Sequence, residues 1–262
     1  MSSRAEAKAR ARARREEAER HAAQAAARRR RISMLLGVLG VAVVVVVVAV
    51  VVSQSGTSKK PTASEGVKQA NSLFAGIPQS GSTLGNPDAP VTIEEYIDLQ
   101  CPFCQRFSQQ GLPDVVDKYV RPGKAKIVIR TLTFIGADSE TAARAAVAAS
   151  AQNKMFQFVE NFYANQKEEN SGYVTRDFLR KVAGGVTGLN VDKMLSGMNA
   201  APVQSFIQSS QRSANRSGVD STPTFLVGPT GGQLSKIETR TLTIDDFTDP
   251  VSEALSEAGS AK

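Results

Sequence analysis

Between Val91 and Leu99 the chain alternates. Val91, Ile93, Glu95, Ile97 and Leu99 share one face, and Thr92, Glu94, Tyr96 and Asp98 share the other. This period of two predicts a strand with a carboxylate, Glu95, on its apolar side. Pro102 to Val120 follows with helix formers interrupted at Gly111 and Pro113, and Lys126 to Leu132, through Ile127, Val128 and Ile129, predicts a second strand. Strand, helix, strand in that order is a parallel βαβ unit. From Asp138 to Ser217 the pattern turns helical, with N-cap candidates at Asp138, Thr175 and Asn190 and stop signals at Gly184 and Gly218. A helical block of roughly 80 residues is longer than any connection a two-layer sheet needs, which predicts an inserted all-helical domain over about 138–218. Thr224 to Val227 then reads as a strand entered through Pro223. Gly228 to Gly232 reads as a turn into a further strand near Leu234 to Leu242, and a closing helix covers Asp245 to Ala258, with Pro250 obscuring its start.

Upstream the pattern is of another kind. Ile32 to Val52 is a run of 21 residues without a charge, nearly all Val, Leu, Ile, Ala or Gly. At 1.5 Å per residue it spans about 30 Å, the thickness of a bilayer's hydrocarbon core, and it predicts a single transmembrane helix. A cleaved signal peptide competes, although signal cores are shorter and end at a small-residue cleavage site. The net charge of +7 sits entirely before this run: residues 1–31 hold eleven Lys or Arg against four Glu, and the remainder is balanced. A basic globular face for nucleic acid is therefore not expected. The positive-inside rule puts the arm, 1–31, in the cytoplasm and the rest outside, with 32–52 as the anchor. Residues 53–72, rich in Ser, Thr, Lys and Gly, read as a flexible linker to a folded domain over 73–262.

Chemistry concentrates at the end of the first strand. The two cysteines, Cys101 and Cys104, sit where strand hands over to helix. With Cys101 at the N-cap, Pro102 occupies the first helical position, where it is well tolerated, and Cys104 lies one turn on, within bridging distance. Free N–H groups and the helix dipole then favour the Cys101 thiolate. Cys101 is the expected nucleophile and Cys104 the resolving thiol. A zinc site lacks ligands, since the single histidine, His21, is in the arm. A static disulfide closing so short a loop adds little stability. Glu95, six residues before Cys101, is expected to have its pKa raised by burial and to exchange protons with Cys104, provided the strand is not slipped by one to bury Glu94 instead. Thr222-Pro223 reads from pattern alone as an ordinary proline at a strand entry.

Leu84-Gly85, Asp88-Ala89-Pro90, the turn Cys101-Pro102-Phe103-Cys104, the helical block and Thr222-Pro223-Thr224-Phe225 together resemble the DsbA-like, thioredoxin-fold family of extracytoplasmic disulfide oxidoreductases. The resemblance runs from about Leu73 to the C-terminus. It implies an α/β, thioredoxin-like fold with an inserted all-helical domain, preceded here by the single transmembrane helix. It also implies a cis peptide at Pro223 beside the redox pair, substrate contacts at Thr222, Pro223, Pro102 and Phe103, and a buried proton-exchanging Glu95. The best-known oxidases of this family carry His where this chain has Phe103, so thiolate stabilisation is expected to rest on helix N–H groups alone. The implied activity is disulfide introduction into unfolded or partly folded exported proteins. It requires no metal or cofactor, and a quinone-linked membrane protein, DsbB-like or VKOR-like, reoxidises the pair. The rival readings are a reductase or isomerase, and a tethered binding domain with an inert disulfide.

Overall fold

The computed structural model describes residues 68 and 70–260. The basic arm, the apolar run and most of the linker lie outside the described residues, among which no helix is long and apolar enough to cross a membrane. Residues 70–73 are helical, and Ala70 and Phe74 are buried, Phe74 edge-on against Phe156 with ring centroids 5.7 Å apart. The boundary expected at residue 73 thus falls inside a packed turn.

Six strands form one sheet: β1 (Gln79–Ser80), β2 (Thr83–Leu84), β3 (Val91–Ile97), β4 (Ala125–Thr131), β5 (Thr224–Pro229) and β6 (Ser235–Lys236), in the order β1-β2-β4-β3-β5-β6. β3 and β4 are parallel, as the βαβ pattern predicts, with Glu95 opposite Ile129. β5 lies antiparallel on the other side of β3, pairing Glu95 with Phe225. The hairpin β1-β2 was not legible in the sequence, because two-residue strands are too short to show a period. Between β3 and β4 run α1 (Pro102–Gln110), α2 (Leu112–Val115) and a π-helical turn, Val116–Val120, with the break at Gly111 where expected. Between β4 and β5 stands the helical block: α3 (Ala137–Ser150), α4 (Met155–Ala164), α5 (Arg176–Gly184), α6 (Val191–Gly197) and α7 (Ala201–Arg216). The chain closes with α8 (Asp245–Ser260), which accommodates Pro250 in its second turn.

Three sequence expectations are corrected. The expected alternation of a buried and a polar face on β3 gives way to burial of every residue, because the strand is central and both sheet faces are covered. On the Glu95 and Phe225 side, Phe107 of α1 and Phe247 of α8 pack on Phe225, with centroids 4.6 and 4.9 Å away. On the other side, Tyr96, Leu132 and Leu226 pack with Ala214 of α7. The N-cap of α3 is Gly136 rather than Asp138, whose carboxylate instead accepts the Gly172 N–H at 2.9 Å. The strand expected over Leu234 to Leu242 shrinks to β6, because the N–H groups of Arg240, Thr241 and Leu242 turn away to the Asp246 carboxylate at the start of α8.

Candidate active site

β3 ends at Ile97, and residues 98–101 carry the chain into α1. Cys101 is the N-cap, with extended backbone (φ −71°, ψ 122°), and Pro102 holds the first helical position. The Cys101 N–H donates to the Asp98 carbonyl at 3.0 Å, and the Cys101 carbonyl accepts the first helical bond, from Gln105 N–H at 3.2 Å. Cys104 follows one turn later, wholly buried, and both thiols are free. The Thr222–Pro223 peptide is cis, as the resemblance implies. Thr222 stands against the redox turn, where the Cys101 S–H donates to its carbonyl at 3.1 Å.

These contacts separate the two thiols. The Cys101 thiol is pulled down from 9.0 to about 6, first by the hydrogen bond from Cys104, against burial, and then by the Thr222 side chain and the backbone N–H groups of Cys104 and Phe103. The expectation that helix N–H groups alone stabilise this thiolate is therefore corrected: the second thiol is the larger contributor, and Thr222 adds to it. The Thr222 carbonyl and side chain act oppositely, since the carbonyl holds the protonated form and a donor favours the ionised one. Cys104 is pushed well above its ordinary value by burial, then by its hydrogen bond to Cys101 and the charges of Cys101 and Glu95.

Glu95 is buried at 5% exposure under this turn. Its carboxyl is raised from 4.5 to about 8 by burial and, second, by the nearby Glu160. The slipped-strand alternative fails on partners as well as on register. Glu94, on the opposite face, is held by Arg130 through Nε at 3.0 Å and Nη2 at 2.7 Å and receives the Tyr96 hydroxyl at 2.9 Å, a partly buried ion pair on the other side of the sheet from Glu95. Pro102 is exposed, and Phe103 at 54% exposure carries the Arg106 guanidinium over its ring at 5.2 Å. Pro223 also lines a cleft of about 530 Å³ with Ser221, Lys236, Glu238 and Arg240. The structure thus gathers Cys101, Cys104 and Thr222 in direct contact, with Glu95 beneath and Pro102 and Phe103 on the surface above.

Sequence reasoning missed the part played by the helical block. The Tyr163 hydroxyl donates to the Asp98 carbonyl at 3.2 Å, and Gln166 Nε2 donates to the carbonyls of Leu99 at 2.8 Å and Cys101 at 3.2 Å. Gln100 is fixed from the same side, donating to the Tyr173 hydroxyl at 2.9 Å and accepting the Asn170 N–H at 3.0 Å. Asp98 completes the loop by accepting from Gln100 N–H at 2.8 Å and Ile135 N–H at 3.2 Å. Glu160, also missed, accepts the hydroxyl of buried Ser108 at 2.6 Å, and burial raises its own carboxyl to about 8 against that bond. No signal in the sequence pointed to them, since Tyr163 lies in the last turn of α4 and Gln166 in the loop beyond it.

The thioredoxin family profile matches residues 79–246. The probable disulfide bond formation protein D of Bacillus cereus is 33% identical over 116 residues, 44% of this chain and 53% of that protein. The match thus spans about half the length of that curated relative. Disulfide bond formation protein D of Bacillus subtilis is 25% identical over 165 residues, 62% of this chain and 74% of that protein. Among solved structures, oxidised BdbD from Bacillus subtilis superposes with a TM-score of 0.59 at 20% identity, covering 69% of this chain and 97% of that one. With the parallel βαβ unit, the cysteine-capped helix and the profile matching most of the chain, this protein belongs to the thioredoxin family.

Proposed function

We propose that this chain is an extracytoplasmic thiol:disulfide oxidoreductase that introduces disulfides into exported proteins through Cys101 and Cys104. The observation that carries this reading is the opposed acidity of the two thiols: Cys101 at about 6, Cys104 far above it. A substrate thiolate attacks the Cys101 sulfur of the Cys101–Cys104 disulfide, and Cys104 leaves. Burial makes a free Cys104 thiolate costly, so it takes the proton of the Glu95 carboxyl, which is protonated at neutral pH. The second substrate thiolate then attacks the substrate sulfur bound to Cys101, which leaves as the stabilised thiolate. The substrate loses two electrons and the pair gains them; of the two substrate thiol protons, one is balanced by the proton on Cys104 and the other goes to solvent.

Direction follows from the same asymmetry. Stabilising the Cys101 thiolate lowers the free energy of the reduced pair and makes the disulfide the better oxidant. Thr222 and Pro223 present backbone to the substrate beside the sulfur, with Pro102 and Phe103 forming the apolar rim. The sequence holds two cysteines and so no second pair of its own, which supports reoxidation by a separate protein; in this reading that partner is quinone-linked and membrane-bound, DsbB-like or VKOR-like. Ile32 to Val52, with the basic arm before it, anchors the domain outside the membrane. The names of the Bacillus relatives support the oxidising direction.

The test is equilibration of the full-length chain in detergent with glutathione buffers, reading the Cys101–Cys104 redox state. A potential of about −120 to −180 mV is expected. A value near about −270 mV would assign the chain to the reductases, and a bond resisting reduction below about −300 mV would make the pair structural.

A further inference from the structure

The mechanism just described leaves Glu95 in difficulty. Once its proton is on Cys104 it is a carboxylate shut away from water, and it must be reprotonated in every cycle. Among the described residues no Lys or Arg forms an ion pair with it, so its charge is not balanced in place. One group outside the site as assigned is suitably placed. Ser108 lies four residues after Cys104, hence one turn along the same face of α1, and is buried. Its hydroxyl donates to Glu160 Oε2 at 2.6 Å. As a residue Glu160, on α4, is partly exposed whereas Glu95 is sealed, so Glu160 stands nearer the surface of the two even though burial still raises its carboxyl.

We propose that Glu160, positioned by Ser108, is a second proton station that carries protons between Glu95 and solvent during each redox cycle. This rests on the oxidoreductase reading above. The steps balance. Glu95 gives its proton to the Cys104 thiolate, Glu160 gives its proton to the Glu95 carboxylate, and Glu160 is reprotonated by water or a buffer acid; reoxidation of the pair runs the same steps in reverse. The mutual influence of the two carboxyls supports the placement, since the Glu160 charge is felt at Glu95 and both titrate near 8. A matched pair transfers a proton with little driving force lost in either direction. The other titratable groups acting on this path are Cys101, Cys104 and Asp98, whose charges are felt at Tyr163 on α4. Glu160 acts through Glu95 and is a positioning residue of the site.

The experiment is a single-turnover oxidation of the reduced full-length chain in detergent by an excess of an aromatic disulfide, quenched with acid and labelled with a maleimide; in this direction Cys104 can be deprotonated only after Glu95 has shed its own proton. It is run across neutral and alkaline pH at low and high imidazole. The wild type is expected to be indifferent to imidazole. Glu160→Gln is expected to slow closure of the disulfide at neutral pH by about tenfold or more, with the rate restored by imidazole, while Glu160→Asp keeps most of the wild-type rate. In Glu160→Gln the pH midpoint of the rate moves down, because the neighbouring negative charge is gone. Slowing without rescue would show a merely structural tie between α1 and α4 and overturn the proposal, as would an unchanged rate and pH profile. Should Glu160→Gln not fold, Ser108→Ala carries the test, with the same imidazole-dependent slowing expected and its absence refuting. An oxidised wild type that accepts no electrons from a dithiol peptide would instead sink the oxidoreductase reading itself, a result distinct from all of these.

Discussion

Replacing Cys104 tests the account of Cys101's acidity at its largest contributor. Two single-cysteine variants differ only in what they offer the Cys101 sulfur: Cys104→Ser keeps a hydroxyl donor, and Cys104→Ala removes the donor. With its thiol at about 6, wild-type Cys101 is roughly nine-tenths ionised at pH 7. A hydrogen bond to a charged group is worth about 1.5–3 kcal/mol, and a pKa unit is about 1.4 kcal/mol, so losing the donor raises Cys101 by about one to two units. The ionised fraction at pH 7 in Cys104→Ala then falls to between about a half and a tenth, while Cys104→Ser stays near the wild type. Ultraviolet absorbance of the thiolate against pH reads the midpoint directly. Iodoacetamide rates at neutral pH should follow with a smaller spread, because a more basic thiolate is intrinsically more reactive. Coincident midpoints near 6 in both variants would refute the assignment and return the effect to the helix N–H groups and Thr222.

Two further outcomes follow from buried carboxylates. The folded-state value for Glu95, about 8, lies above its ordinary 4.5, so the stability it permits is complete below about pH 4.5 and is lost as pH rises through 8. Glu95→Gln should therefore raise the thermal midpoint relative to wild type more at pH 9 than at pH 4 while slowing turnover, and an equal effect at both would contradict the buried, protonated state. Arg130→Met leaves the Glu94 carboxylate without its cation on the far face of β3, and since the pair is only partly buried the cost should be about 2 kcal/mol in urea unfolding. A loss under about 0.5 kcal/mol would mean the Tyr96 hydroxyl suffices.

Local chemistry was legible in the sequence and long-range partnership was not. The period of two over Val91 to Leu99 and the proline behind Cys101 define strand and capped helix through bonds between near neighbours, and both stand in the structure. The second buried face of β3 was hidden because its polar residues are satisfied by distant ones: Glu94 by Arg130, Tyr96 by Ser213, and Thr92 by Thr230 at 2.8 Å. In composition such residues look like a solvated face. Asp138 reads as a helix cap until Gly172 claims its carboxylate. Glu160 is one acid on a mostly apolar helix, and only the approach of α4 to α1 gives it Ser108, 52 residues earlier in the chain.

The helical block is therefore part of the redox centre. Proline and the N-cap can place Cys101 at a helix end, but the acidity of its thiol depends on where two N–H groups, the Cys104 sulfur and Thr222 stand relative to it. The loop that sets those positions, residues 98–101, belongs to no regular element, and three of its carbonyls are held by Tyr163 and Gln166 of the block. Thr222 arrives from the opposite direction, at the far end of the block, through the turn into β5. An insertion between β4 and β5 thus holds one wall of the Cys101 environment and delivers the other, so loosening its packing should disturb the thiol's acidity even where no residue touching sulfur is changed. A small βαβ frame lacking the block would retain the cysteine-capped helix without the hydrogen bonds that now fix the sulfur among its donors.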